Sequence, residues 1–153
     1  FDLSTLLFLR NGLVVYTRDH PLGGYQLTEE IMRRYEMTHE LASFFMRGEP
    51  WRENFEDEVV EPFLLRIVHP ISRALQFYSS SAEFSNIRNI FLSGTMASIK
   101  GLADVVEQEL GMKCAVADPI VGLDVAPSVA VAALNRNAPN LMVAMGLALR
   151  GFD

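Results

Sequence analysis

Apolar residues in the first seventeen positions fall in two short runs, 6–10 and 13–17, separated by Asn11-Gly12. That dipeptide between two strand-like runs predicts a β-hairpin, because both central positions of a type I′ turn need positive φ. "DHPLGG" then ends the second strand, with Pro21 and the Gly23-Gly24 pair marking a loop. The pattern next changes to a helical period. Thr28 is the expected N-cap of a helix running to about Tyr35, with Glu29 and Glu30 favoured by the dipole of its first turn. Thr38 is the expected cap of a second helix over residues 40–46. After the polar connection "RGEPWRENFEDE", Val59, Val60, Phe63, Leu64, Ile67, Val68, Ile71, Ala74, Leu75 and Tyr78 recur at helical spacing. Pro62 suits the first turn of this long helix, and Pro70 removes a backbone hydrogen bond within it and predicts a kink.

"SSSAEFSN" leads into a strand at residues 90–92, the turn Ser93-Gly94-Thr95, and an amphipathic helix ending at Gly111. A further strand is expected at 113–117, a loop at Asp118-Pro119, and two small-residue-rich helices at 129–134 and 140–149, packed close. The order ββ, helices, β, helix, β, helices predicts an α/β domain, a mixed sheet with helices packed on it.

Composition narrows the function classes. The chain has 153 residues, half of them hydrophobic, enough for one domain or one lobe of a larger protein. A net charge of −6, with Arg33-Arg34 as the one adjacent basic pair, argues against a nucleic-acid surface. The most apolar late segment, 141–149, is far shorter than the roughly 20 residues of a membrane span. The single cysteine, Cys114, lies in the apolar run "MKCAVAD", reads as a buried free thiol, and suits a reducing cytosol. A chain that opens at Phe1 inside an apolar strand is expected to be a piece of a longer one, truncated at its N-terminus.

Walker A, GxGxxG, GxSxG and HExxH signatures are absent from the sequence. His20, His39 and His69 have no metal-ligand spacing, and Trp51 with Phe44-Phe45 reads as packing. The acid run Glu56-Asp57-Glu58 reads as a solvated helix start. What remains is the strand–turn–helix at Ser93-Gly94-Thr95. There a glycine permits close backbone approach of a ligand, and a helix N-terminus offers free N–H groups. On its own it is a weak signal for a nucleotide cradle and reads first as a structural turn.

Six blocks in order, "LRNGLVVYTRDHPLGGYQLTEEI", "VVEPF", "ISRALQFYSSS", "FLSGTMASIKGL", "VADP" and "APNLMVAMGLALRGFD", resemble the C-terminal half of the PilM family of type IV pilus assembly. That family is related to FtsA within the actin, Hsp70 and sugar-kinase superfamily. The resemblance implies an actin-like (ribonuclease H-like) second lobe, with residues of about 36–85 as a helical subdomain on a sheet-based core. It implies ATP with Mg between two lobes in the full-length protein. The phosphate loop Asp-x-Gly would lie upstream of Phe1, and residues 92–101 would face the adenosine. The nucleotide-site residues it implies are Gly94, Thr95, Met96 and Ser98, with Glu40, Gly23 and Gly24; Thr95 stands where the family has a second glycine. The implied role is a non-catalytic, cytoplasmic scaffold at the face of the inner membrane, without a membrane span of its own. Its expected partners are the cytoplasmic tail of PilN, bound mainly through the other lobe, and the pilus motor, with a homo-oligomer formed through an unpaired sheet edge. An ATPase or small-molecule kinase of the superfamily, or an FtsA-like filament protein, are the alternative readings.

Overall fold

The structure, a computed structural model, describes residues 2–45, 56–79 and 87–152. Trp51, the side chains of Phe44 and Phe45, and most of the "RGEPWRENFEDE" and "SSSAEFSN" connections lie outside the described residues.

The opening hairpin forms as the sequence predicts. β1 (Ser4–Arg10) pairs antiparallel with β2 (Leu13–His20) across Asn11 and Gly12, at φ +52° and +78°. The register slips by one residue between the pairs Phe8↔Tyr16 and Leu9↔Val14, so Val15 is a bulge. Phe8 and Tyr16 meet Tyr78 in a three-ring cluster, with centroids 4.5–5.1 Å apart, that ties the hairpin to the long helix.

Helix α1 (Gly24–Tyr35) begins four residues before the expected cap. Gly23 is its N-cap, and the Gly23 amide donates to Oε1 of Gln26 at 2.7 Å. Thr28 lies inside the helix, buried, with Oγ1 donating to the carbonyl of Gly24. The early start adds a turn ahead of Leu27 and Ile31, which α1 buries in the core. Glu29 and Glu30 therefore stand beyond the first turn, whereas Arg33 and Arg34 occupy the last turn, where cations suit the dipole. Thr38 does precede α2 (His39–Phe45), its Oγ1 accepting from the Leu41 amide at 3.5 Å.

A π-type turn, Glu56–Val60, leads into α3 (Glu61–Ser79), which continues through Pro70. The helical spacing read from the sequence is the buried face: Val59, Phe63, Leu64, Ile67, Val68 and Ala74 are buried. All but Ala74 share one core with Leu27 and Ile31 of α1, Ala42 of α2, and Ile99, Leu102 and Val106 further along. The last three belong to a β–α–β unit: β3 (Asn89–Leu92), α4 (Leu102–Leu110) and β4 (Lys113–Val116), with β3 and β4 parallel. Among the described residues the strands thus pair as two separate two-stranded ladders, one antiparallel and one parallel.

α5 (Val131–Asn137) and α6 (Met142–Leu149) follow a loop opened by Asp118, whose Oδ1 accepts from the Ile120 amide. Neither helix buries a residue, and Val143 is 74% exposed, so the close packing expected of these small-residue helices is not achieved against this core. Small residues permit close approach but do not compel it. Among the described residues no helix is long and apolar enough to cross a membrane.

Phe63 has no exposed surface and sits at the centre of this core. Phe63→Ala should lower unfolding free energy by about 3–5 kcal/mol, whereas Phe63→Leu, which keeps most of the volume, should cost less than about 1.5 kcal/mol. Denaturant unfolding of the two variants checks this; equal losses would remove Phe63 from its central place.

Candidate functional site

The segment after β3 is where the sequence placed its ligand turn. Leu92 ends the strand, its carbonyl taken by the Ala117 amide at 2.7 Å, so β4 holds the chain up to the turn. Gly94 then adopts φ +90° and ψ −178°, a backbone region open in practice only to glycine. A Cβ at Gly94 would meet no atom within 4 Å, so the glycine is required by conformation and its outer side is open. The helix does not start here. Thr95–Ser98 forms a single 3₁₀ turn, Ile99 is extended, and Gly101 is left-handed before α4 begins at Leu102. On the far side of the break Ile99 and Leu102 both pack into the core with Leu64.

Within the turn, Thr95 and Ser98 are exposed, Ala97 is buried, and Met96 is half-buried against the core. Met96 therefore points its bulk inward rather than across the open side of Gly94. The amides of Thr95 and Met96, first in the 3₁₀ turn, have no acceptor within it. The Gly94 amide is already engaged: it donates to the carbonyl of Pro139 at 2.8 Å. Oγ of Ser93 donates to the same carbonyl at 3.1 Å. Pro139 lies in a 3₁₀ elbow, Ala138–Leu141, between α5 and α6. Sequence reasoning left Pro139 out of the site. Its one signal was the proline in "NAPNL", a turn mark without an address.

The other expected residues sit on elements packed on the same core. Gly23 and Gly24 are buried at the start of α1, next to Leu22, which packs on the core with Met96. Glu40 is exposed in the first turn of α2, two residues before the buried Ala42. No hydrogen bond or ion pair among the described residues joins Glu40 to the Gly94 turn. The turn is thus assembled, and its relation to Gly23, Gly24 and Glu40 runs through shared packing.

Concave surface lies elsewhere. A groove of about 600 Å³ runs along the outer side of α1, lined by Tyr25, Glu29, Arg33, Glu36 and Arg66 among others, and no residue of the Gly94 turn borders it. Glu30 and Arg66 form an ion pair at this groove. Tyr25 hydrogen-bonds Glu29, which raises its phenol pKa. So charged and open a surface lacks the apolar enclosure of a small-molecule pocket.

Of the histidines, His39 and His69 are exposed, and His20 is half-buried with a buried Nε2 that has no hydrogen-bond partner. Cys114 is half-buried rather than buried, because its β4 position borders a small open groove with Glu107 and Lys113. Burial, then the charges of Glu107 and Asp104, raise its thiol pKa.

An antiparallel hairpin, a helical layer and a β–α–β unit whose connecting turn is built on glycine describe a lobe of the actin-like fold. The solved structures agree. The chain is similar to a structure described as "PilM-PilN type IV pilus biogenesis complex", with a TM-score of 0.82 and 24% identity over 99% of this chain and 44% of that one. It is also similar to the ethanolamine utilization protein EutJ from Carboxydothermus hydrogenoformans, with a TM-score of 0.67 and 18% identity over 97% of this chain and 45% of that one. The chain spans less than half the length of either. By sequence, residues 2–152 match the family described as type IV pilus assembly protein PilM, and the chain belongs to that family.

Two outcomes follow from this geometry. Gly94→Ala should destabilise the lobe by about 1–3 kcal/mol through backbone strain alone; an unchanged unfolding midpoint would contradict the positive φ. Iodoacetamide at neutral pH should alkylate Cys114 more slowly than a free cysteine, because a raised pKa lowers the thiolate fraction. Full speed should return in denaturant, and equal rates in both states would count against it.

Proposed function

We propose that this chain is the second lobe of a non-catalytic scaffold in the type IV pilus assembly platform. In the whole protein the lobe closes with a partner lobe over ATP and Mg, with residues of about 36–85 as its helical subdomain. The scaffold works at the cytoplasmic face of the inner membrane, where it binds the cytoplasmic tail of PilN and links it to the motor. The observation that carries this reading is the family match across residues 2–152, supported by the likeness in fold to a PilM bound to PilN.

Gly94 supports the nucleotide part of the reading. It is a glycine demanded by its φ, with open space on the side where a Cβ would project, at the turn the family resemblance aligns with adenosine. Thr95 carries a Cβ where the family has its second glycine, but its side chain is exposed and leaves the Gly94 side clear. On the same resemblance Gly23, Gly24 and Glu40 are read as further residues of the nucleotide site. A scaffold role needs binding energy from nucleotide, not a general base aligned on a water.

The test uses the whole protein and a synthetic peptide of the PilN cytoplasmic tail. Titration calorimetry should give saturable, one-to-one binding that a scrambled peptide does not reproduce. Failure of the whole protein to bind the tail peptide would sink the scaffold assignment.

A further inference from the structure

The most unusual polar feature outside the core is a single carbonyl with two donors. The carbonyl of Pro139 accepts from the Gly94 amide at 2.8 Å and from the Ser93 hydroxyl at 3.1 Å, across 46 residues of sequence from Ser93. The elbow that presents this carbonyl is itself held at its α5 end. Ala138 is buried at 3% exposure, and the Asn137 side-chain amide donates to the Ala133 carbonyl in α5. Proline at 139 sets its own φ, and its place in the 3₁₀ turn Ala138–Leu141 sets the ψ that aims its carbonyl. On the other side of the bonds, Gly94 has the most conformational freedom of any residue in the turn, and its φ of +90° needs to be held.

We propose that Ser93 and the Pro139 carbonyl form a latch that positions the Gly94 turn for nucleotide, making the α5–α6 elbow part of the binding site. The inference rests on the nucleotide reading above and adds to it a positioning residue, Ser93, and a segment that reading does not include. The Gly94 amide is spent on the latch and is not offered to a ligand. Its role is to orient the open side of the turn, while Ser93 supplies the second bond that keeps the carbonyl in register. Because α6 follows the elbow without a break, a ligand that tightens the turn also restrains the start of α6.

The experiment compares the whole wild-type protein with Ser93→Ala and Ser93→Thr, reading ATP·Mg affinity by calorimetry and Gly94 amide exchange by hydrogen–deuterium exchange without nucleotide. Ser93→Ala should weaken ATP binding about threefold to tenfold, the worth of one hydrogen bond, and speed exchange at Gly94. Ser93→Thr keeps the hydroxyl and should restore both. Unchanged affinity in Ser93→Ala overturns the positioning role, as does a threonine variant as weak as the alanine one. If the wild type binds no ATP, the nucleotide reading falls and this inference falls with it. A wild type that binds while Ser93→Ala binds equally well removes the latch alone.

Discussion

The buried face of α3 is the constraint on which the rest of the lobe depends. Phe63, Leu64, Ile67 and Val68 present a continuous apolar stripe, and each neighbouring element contributes residues that cover part of it. Leu27 and Ile31 cover it from α1, Ala42 from α2, and Ile99, Leu102 and Val106 from the β–α–β unit. The aromatic contact of Tyr78 with Phe8 and Tyr16 extends the same helix to the hairpin. Surface ion pairs such as Arg34 with Glu58, both half-exposed, add little beside this, since such pairs are worth about 0–1 kcal/mol.

That packing also explains the shape of the candidate site. Ile99 and Leu102 pack into the core on either side of Gly101, whose left-handed backbone delays the helix, so the 3₁₀ turn lies between two glycines. The turn is then fixed from three directions: β4 through Leu92, the core through Met96 and Ala97, and the α5–α6 elbow through Pro139. A turn built this way is rigid because its supports come from separate parts of the chain.

Features legible in the sequence are those whose cause is local. Asn11-Gly12 encodes its own turn, the α3 stripe repeats at the helical period, and Thr38 caps the helix that follows it. The start of α1 was misjudged because Thr28 is a good N-cap by type, yet burial of Leu27 and Ile31 extends the helix back through Gly24. Gln26 then does the capping that Thr28 was expected to do. The helix expected after Gly94 starts late for a different, local reason: Gly101 is left-handed and caps α4 at Leu102.

The sequence by itself determined the hairpin, the helical faces, the glycine at residue 94 and the family, since each depends on residue type at short spacing or on an ordered run of motifs. Tertiary structure alone decided that the four strands among the described residues pair as two ladders, that Met96 turns inward, and that Pro139 closes on Ser93 and Gly94. Such bonds form between groups far apart along the chain. Nothing in the residues at either end specifies the other, because folding around α3 is what brings them within reach.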